Sequence, residues 1–400
     1  MNHQLEPDVE WTLLRSYLPQ GWEAQGWALG AIRAANKIQD ADQLLRLLLA
    51  CGGVGLSYQR TAEVMAAQLG QTLSKVAVFK RFRRAEPWLD WLMAGLLSAQ
   101  VRAPAPLGRR FLAVDASNVA SPRAKVQLRL HYSLDLGRLH ADGVHLSDQH
   151  QAESLAHFAP QPGDVLLADR VYAKAKGLAH AADAGAQVIV RLGRTSLTLY
   201  DDAGQKIDVL ALLRGLKGYE PGAWAASFPH PERRGQRVHG RICAVRLSPE
   251  AARRARAKLE RQSRKNSKRG QPSPSTYEMT EYFVVFTTAA DLGSAEVLDW
   301  YRARWQVELA FKRLKSLLKL GQVPDSSPES ARIWLKLKIV YALLLYAYLD
   351  QAGALSPWGH GCVGATAGLE PGLGVVGADQ AGLRQGGVGA WLAAVGVAAA

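Results

Sequence analysis

The sequence predicts an α/β protein in which helices flank a mixed β-sheet, with an all-helical N-terminal region and a β-rich insertion. Three observations support this prediction. Apolar residues recur at helical spacing from Trp11 to Leu49. Residues 126–135 and 139–148 alternate between apolar and polar side chains, as paired antiparallel strands do. Residues 163–192 then follow the pattern of a strand, a helix and a second strand.

Length and composition set the scale of the fold. At 400 residues and 48% hydrophobic content, the chain can bury two or three cores. Changes in composition along the chain suggest how it is divided. We expect a helical domain at 1–100, an α/β core at 108–192 and 281–350, a β-rich insertion at 193–280, and an atypical tail rich in glycine and alanine at 351–400.

The net charge and the cysteines indicate which kind of partner the protein binds and in which compartment it works. The net charge of +14 favours a polyanionic partner, either nucleic acid or an anionic membrane surface. No apolar run reaches bilayer-spanning length and no signal-peptide pattern opens the sequence, so we expect a cytoplasmic protein without a membrane partner. Cys51, Cys243 and Cys362 are far apart and lack metal-ligand spacing, which indicates a reducing compartment rather than a zinc module.

A pair of helices near the N-terminus is the first candidate binding element. Ser57 is a plausible N-cap for a helix that ends at Gly70, and a second helix starts near Ser74. Helix, tight turn and helix is the arrangement of a DNA-binding helix-turn-helix. An ordinary helical hairpin with an exposed cationic face remains an open alternative. The candidate DNA-binding cations of the second helix are Lys75, Lys80, Arg81, Arg83 and Arg84.

Two aspartates stand where apolar strands are expected to end. Asp115 follows the run FLAV, and Asp169 follows VLLA. A buried strand can fix a carboxylate while the adjacent turn stays open, which suits a metal ligand in phosphoryl transfer. Asp115 could equally start a turn, a common role for aspartate. Asp164, in the turn before the second strand, is interpreted as a turn residue only.

The stretch from Trp300 to Leu320 predicts one amphipathic helix with a distinctive polar stripe. Helical geometry places a phenol, two cations and a carboxylate near one meridian. The members of this stripe are Tyr301, Arg304, Glu308 and Lys315. The opposite face is apolar and suited to burial: Val307, Ala310, Phe311, Leu314, Leu317 and Leu318. A merely solvated charged face is the alternative.

The remaining segments are less specific. Residues 193–281 alternate like β-structure at first, notably in LTLYDDAGQKIDVL and GRICAVRL. The basic run at 252–275 predicts a helix leading into a loop, which either contacts phosphates or is only solvated. Beyond Trp358 the sequence is dominated by glycine, alanine and valine, and we interpret this tail as an altered ending, for instance from a reading-frame change.

The stripe in the amphipathic helix resembles a known signature. Tyr301, Arg304, Glu308 and Lys315, separated by two, three and six residues, resemble the Y-R-E-K signature of DDE transposases, in particular of the insertion-sequence-four family.

The resemblance extends to the strand-end acids. DASN at Asp115 and ADRVYA at Asp169 look like the first and second acids of that family, and Glu308 like the third. Val171 stands where many relatives have glycine, a departure that we expect to be tolerated because Val171 is not a ligand. Three strands followed by helix-linked strands, with acids on the first and fourth, also resemble a ribonuclease-H-like core.

The resemblance implies a function and a set of roles. Asp115, Asp169 and Glu308 would bind two Mg²⁺ ions, with Mn²⁺ as a substitute, and Tyr301, Arg304 and Lys315 would hold DNA phosphates. The protein would be a nucleoid-associated transposase that acts as a homodimer on double-stranded DNA, cleaving at terminal inverted repeats and transferring the cut strand to a target. The alternatives are a DNA-binding regulator or inactive relative with the same fold, and a ribonuclease-H-like nuclease.

Overall fold

The computed structural model describes residues 9–33, 37–53, 55–69, 72–101, 109–121, 126–265, 271–316, 318–320 and 327–354. The chain divides into two compact units: one comprises residues 1–104, 118–128 and 311–400, and the other comprises residues 105–117 and 129–310. The atypical tail beyond Ala354 and the predicted turn at 70–71 lie outside the described residues. None of the helices in the described ranges has the length and hydropathy needed to cross a bilayer.

The N-terminal region is helical, as predicted. Its helices are α1 (Val9–Ser16), α2 (Trp22–Ala28), α3 (Ala41–Leu48), α4 (Tyr58–Leu69), α5 (Lys75–Arg84) and α6 (Glu86–Val101). The later helices are α7 (Ala175–Asp183), α8 (Val209–Arg214), α9 (Pro249–Lys265), α10 (Pro274–Glu278), α11 (Ser294–Ala303), α12 (Trp305–Ser316) and α13 (Pro328–Ala354).

A glycine-containing π-turn at Leu49–Gly53 lies against α13 in the first unit. A Cβ atom on Gly52 would come within 2.8 Å of the Leu337 side chain, and one on Gly53 within 2.8 Å of Tyr341. Gly52 and Gly53 therefore allow close packing, because a larger residue at either position would collide with side chains of α13.

The strands form one mixed sheet. They are β1 (Phe111–Ser121), β2 (Val126–Asp135), β3 (His140–Asp148), β4 (Val165–Ala168), β5 (Gln187–Arg191), β6 (Gly222–Pro229), β7 (Arg237–Arg246) and β8 (Tyr282–Thr287). The spatial order is β3-β2-β1-β4-β5-β8-β7-β6. The β1–β4 and β4–β5 pairs are parallel, whereas β5–β8, β8–β7 and β7–β6 are antiparallel. The predicted ribonuclease-H-like mixed sheet flanked by helices is confirmed.

Two sequence expectations about the strands were wrong. The first strand was expected to end at Asp115, but β1 continues to Ser121, because polar and small residues can extend a strand whose backbone is paired. Val209 and Leu210, the end of a segment expected to be β-structure, instead begin α8, in which Asp208 caps the N–H groups of Leu210 and Ala211. The buried residues of this helix are Val209, Leu210 and Leu213.

The insertion contributes two strands to the same sheet. β6 and β7 extend it beyond β8, and Ile242 of β7 lies opposite Phe286 of β8. The basic run begins as α9, which has no buried residue. Residues 266–270, where the predicted loop would start, lie outside the described ranges.

A buried ionic network joins the starts of two strands. Arg110, which is 8% exposed, precedes β1 and donates from Nε to Asp164 Oδ1 at 2.9 Å. It also donates from Nη2 to the same carboxylate and from Nη1 to Asp142. The Arg110 carbonyl accepts from the Val165 N–H at 2.9 Å. Asp164 is therefore more than a turn residue, since it holds β1 and β4 in register.

We predict that Arg110→Met destabilises the protein by about 3–5 kcal/mol, because it leaves buried carboxylates without a counter-charge. Urea unfolding followed by circular dichroism measures this change. The matched control is Arg109→Met, whose partner Asp291 is 56% exposed and whose loss should cost less than about 1 kcal/mol. Equal losses for the two variants would contradict the assignment.

Candidate active site

The sheet places two carboxylates side by side. Val114 of β1 is paired with Ala168 of β4 in parallel register, so the next residues, Asp115 and Asp169, stand next to each other. Neighbouring strands lie only about 5 Å apart, so this register puts the two acids within close electrostatic range. Asp169 directly follows its strand as expected, whereas Asp115 lies within β1.

Asp169 is fixed by the turn that follows it. Its Oδ1 accepts from the Val171 N–H at 2.8 Å and caps the 3₁₀ turn Arg170–Tyr172. Val171 itself is 44% exposed, so its side chain displaces no buried group. A valine at the position where glycine was expected therefore leaves the placement of Asp169 unaffected.

The signature stretch is divided between two helices. α11 ends at Ala303 and α12 begins at Trp305, contrary to the single helix expected from the sequence, but Arg304 between them keeps helical dihedral angles (φ −52°, ψ −30°). The guanidinium lies between two acids, with Nη2 donating to Glu308 Oε1 at 2.6 Å and Nη1 3.5 Å from Asp115 Oδ2. Arg304 thus links the carboxylate of β1 to the carboxylate of α12.

Tyr301 and Lys315, the other members of the signature, differ in their exposure to solvent. Tyr301 was expected on an exposed polar stripe but is only 6% exposed, and its ring packs against Phe283 with centroids 5.2 Å apart. Burial raises the pKa of Tyr301. Lys315 is exposed in the last turn of α12. The apolar face was predicted correctly for its described and buried members Val307, Ala310, Phe311 and Leu314.

Burial and the neighbouring charges shift the pKa of Asp115. Its pKa is raised to about 6, first by burial and further by the charges of Asp169 and Glu308. The Ala116 N–H and Arg304 oppose the shift but do not cancel it. The three candidate acids are therefore electrostatically coupled, although they come from three separate elements.

The carboxylates of Asp115, Asp169 and Glu308 are suitable ligands for a divalent cation, although they are not gathered around a single point. Among the described residues, no three His, Cys, Asp or Glu side chains are placed to hold one ion together. The Arg304 guanidinium supplies the positive charge between Asp115 and Glu308 instead. Glu308 is 53% exposed, so its carboxylate can reorient at little cost. Carboxylate oxygens are the ligands that Mg²⁺ and Mn²⁺ prefer, and the residues fit that chemistry.

Sequence reasoning missed several residues around the acids. Tyr172 is 1% exposed, and its hydroxyl has no hydrogen-bond partner within the described structure. Glu153 and Arg191 both interact electrostatically with Asp169. Tyr172 follows Asp169 closely enough for the motif to have suggested it. Glu153 lies in a loop without periodicity, so no sequence signal identified it.

The candidate DNA-binding helix pair is present as α4 and α5. Ser74 caps α5 by accepting from the Ala77 N–H at 3.2 Å. Phe82 is fully buried and packs against Tyr58 of α4 with centroids 5.5 Å apart, so the aromatic residue serves the core. The candidate cations differ in their surroundings. Lys75, Lys80 and Arg84 are exposed, Arg81 is half-buried and donates to a backbone carbonyl, and Arg83 pairs with Glu329.

A mixed sheet that presents electrostatically coupled carboxylates is typical of metal-dependent enzymes that act on phosphodiesters. Comparison with protein families agrees: residues 106–344 match the family described as Transposase DDE domain. This chain belongs to the DDE transposase family. It is thus a DNA-cleaving and strand-transferring enzyme, and members of this family normally act with divalent metal ions.

Two curated relatives place the chain among insertion-sequence transposases. It is 31% identical over 351 residues to the transposase for insertion sequence element IS421 of Escherichia coli. It is 30% identical over 348 residues to the putative transposase InsL for insertion sequence element IS186A of Escherichia coli strain K12. Each match covers 85% of this chain and 92% of the relative. Both relatives belong to the insertion-sequence-four family, so the resemblance noted in the sequence is confirmed.

The raised pKa of Asp115 predicts a pH-dependent stability. Between about pH 4 and the native pKa of about 6, the native state binds more protons than the unfolded state, so stability falls as the pH rises through this window. In chelator-containing buffer, Asp115→Asn should therefore be more stable than wild type by about 1–3 kcal/mol above about pH 7. The gain should disappear below about pH 4.

Thermal melting at several pH values measures this effect. Asp202→Asn, which changes an exposed turn aspartate, is the control and should leave the profile unchanged. A less stable Asp115→Asn protein at neutral pH would show that burial and repulsion do not dominate at this carboxylate.

Proposed function

We propose that the protein binds the terminal inverted repeats of an insertion sequence and performs metal-dependent cut-and-paste transposition. The observation that carries the proposal is the electrostatic coupling of Asp115 with Asp169 and Glu308, which come from three separate elements, together with the Arg304 guanidinium that contacts both Asp115 and Glu308. Carboxylates that repel one another lower the stability of a fold, so this arrangement indicates a role in catalysis.

In this proposal Asp115, Asp169 and Glu308 hold two Mg²⁺ ions, with Mn²⁺ as a substitute. When bound, the divalent ions neutralise phosphate oxygens, activate the attacking oxygen and stabilise the leaving oxyanion. Parallel pairing of β1 and β4 holds two of the acids rigidly. Glu308, more exposed and on a helix, closes the set by changing its side-chain conformation.

Arg304 and its neighbours bind the DNA backbone beside the acids. A guanidinium freed from its carboxylate partners can bind a phosphate through two parallel hydrogen bonds. Lys315 contributes a point charge to the same backbone. Tyr301 is largely buried, so its role is to position Arg304, whose guanidinium lies 5.8 Å from the ring centroid and is hydrogen-bonded to the phenol.

Longer-range DNA binding uses the cationic helices. The exposed face of α5 borders a pocket of about 270 Å³, and the charged residues that line it are Arg33, Lys80, Arg81 and Arg84. α9 carries a second row of exposed cations: Arg253, Arg254, Arg256, Lys258, Arg261, Arg264 and Lys265. These helices supply affinity through phosphate contacts, which carry little base information. Two copies of the chain on paired transposon ends complete the active complex.

The activity test uses double-stranded DNA that carries the candidate terminal repeats, with Mg²⁺ and a target DNA. We predict that Asp115→Ala, Asp169→Ala and Glu308→Ala each lower cleavage and joining by at least about a thousandfold, because metal ions contribute several kcal/mol to the transition state. Binding of the same DNA in chelator should persist.

The products separate this proposal from its alternatives. Cleavage without joined products would indicate a nuclease, and specific binding without cleavage would indicate a regulator or an inactive relative. The control variant is Glu250→Ala at the exposed start of α9, which should cleave and join like wild type. Full activity after removal of any of the three acids would overturn the assignment.

The α5 prediction concerns salt dependence. Replacing Lys75, Lys80 and Arg84 together by alanine should weaken DNA binding and reduce the slope of log K against log salt by about 2–3, since each lost phosphate contact removes about 0.9. Fluorescence anisotropy across a salt series measures the slope. Arg214→Ala is the matched control, because this exposed arginine is paired with Glu278 at 2.7 and 2.8 Å. An unchanged slope for the triple variant would exclude α5 from the phosphate contacts.

A further inference from the structure

The guanidinium of Arg304 lies between two of the candidate metal ligands. Its Nη2 donates to Glu308 Oε1 at 2.6 Å, and its Nη1 lies 3.5 Å from Asp115 Oδ2. The Arg304 side chain is 13% exposed, whereas that of Glu308 is 53% exposed. The arginine is therefore folded back onto the acids instead of extending into solvent.

Local structure holds the guanidinium in this position. Arg304 has helical dihedral angles, which place its side chain one turn before Glu308 on the same stripe. The Arg304 N–H donates to the Tyr301 carbonyl at 3.1 Å, and the guanidinium carbon lies 5.8 Å from the Tyr301 ring centroid. That ring is itself buried against Phe283. The contact with the acids is thus part of the packed structure rather than an exposed ion pair.

The same guanidinium has donors without acceptors. Arg304 Nε and Nη1 are buried and have no hydrogen-bond partner in the described structure. At 3.5 Å, the approach of Nη1 to Asp115 is an ion pair that is too long for a good hydrogen bond. Buried donors of this kind call for an acceptor, and a phosphate offers several oxygens in the geometry that a guanidinium binds.

Arg304 and a divalent cation compete for the same carboxylates. Carboxylate oxygens are the ligands that the cation needs, and Glu308 Oε1 is already bonded to Arg304. With Arg304 in place, no three His, Cys, Asp or Glu side chains of the described ranges are arranged to hold one ion. Without the guanidinium, Asp115 and Glu308 would lose their counter-charge, and their repulsion would favour the binding of a cation.

We propose that Arg304 couples DNA binding to cation binding: it lowers the affinity of the acids for divalent cations in the free protein and releases the acids when its guanidinium binds a DNA phosphate. The inference rests on the metal-dependent function proposed above and adds the regulation of its site. Because coupling between two ligands is reciprocal, a bound cation also raises the affinity for DNA. Such a protein takes up its cations mainly after DNA is in place.

The first test measures Mn²⁺ binding to the full-length protein without DNA, by isothermal titration calorimetry and by the electron paramagnetic resonance of free Mn²⁺. Arg304→Met keeps an unbranched side chain against the Tyr301 ring and removes the charge. We expect its Mn²⁺ dissociation constant to fall by about 5–100-fold, as is typical of coupled sites. A dissociation constant equal to or higher than that of wild type would overturn the proposal.

Arg302→Met is the matched control. Arg302 is an exposed arginine at the end of α11 that is paired with Asp299 at 2.6 Å. Its loss removes the same charge without freeing a candidate ligand, so the Mn²⁺ affinity should stay close to that of wild type. An equal gain in Arg302→Met and Arg304→Met would show a general effect of charge and would also exclude the proposal.

A purely structural role would move different readouts. Arg304→Met leaves repelling acids, so it should melt at a lower temperature than wild type in chelator, and Mn²⁺ should raise its melting temperature by more than that of wild type. If Arg304→Met does not fold, Arg304→Gln takes its place, with the same gain in Mn²⁺ affinity expected. Equal stabilisation of variant and wild type by Mn²⁺ would show that Arg304 does not compete with the cation.

The second test adds duplex DNA with the candidate terminal repeats, at concentrations that saturate each protein. DNA should tighten Mn²⁺ binding to wild type, and this gain should be lost in Arg304→Met. Comparison of the two proteins at the same DNA concentration cancels the Mn²⁺ that the DNA itself binds. The same gain in both proteins would rule out Arg304 as the coupling residue.

Asp115→Asn separates this inference from the proposed function. If Asp115→Asn weakens Mn²⁺ binding while Arg304→Met leaves it unchanged, the coupling is wrong and the three-acid site stands. If Mn²⁺ binds to neither wild type nor Arg304→Met, with or without DNA, metal binding at the three proposed acids fails, and the inference fails with it.

Discussion

The parallel pairing of β1 with β4 is the constraint on which the active site depends. It sets Asp115 next to Asp169, an arrangement that charge repulsion opposes. The pairing is secured at the opposite end of the strands by Arg110, whose side chain binds Asp164 and Asp142. A buried ion network at one end thus maintains the repulsive acid pair at the other. The stabilising ion network and the candidate catalytic acids thus lie at opposite ends of the same two strands.

Arg304 connects Glu308, the third candidate acid, to this pair. Its position between α11 and α12 lets one guanidinium contact Asp115 on the sheet and Glu308 on the helix. Because Arg304 keeps helical dihedral angles, its side chain stays on the same stripe as Glu308, four residues further on. The charges of Asp115 and Glu308 are thus partly neutralised by a neighbouring guanidinium.

Basic residues occur both next to the acids and elsewhere in the chain. Close to the acids, Arg304 can exchange carboxylates for phosphate oxygens, a substitution that conserves charge pairing. Further along the chain, α5 and α9 display cations that account for part of the net charge of +14. Phosphate contacts of such cations are additive and weakly specific, which suits the DNA-binding role that we propose for both helices. The insertion supplies α9 while extending the catalytic sheet through β6 and β7.

The sequence by itself determined the strands that carry acids, the N-terminal helices and the family, because alternation, helical spacing and the spaced signature are local patterns. Only the tertiary structure decided that Tyr301 is buried, that Arg304 contacts both Asp115 and Glu308, and that β1 continues past Asp115. Burial and electrostatic contact depend on residues far apart in the chain, and a local pattern does not encode them.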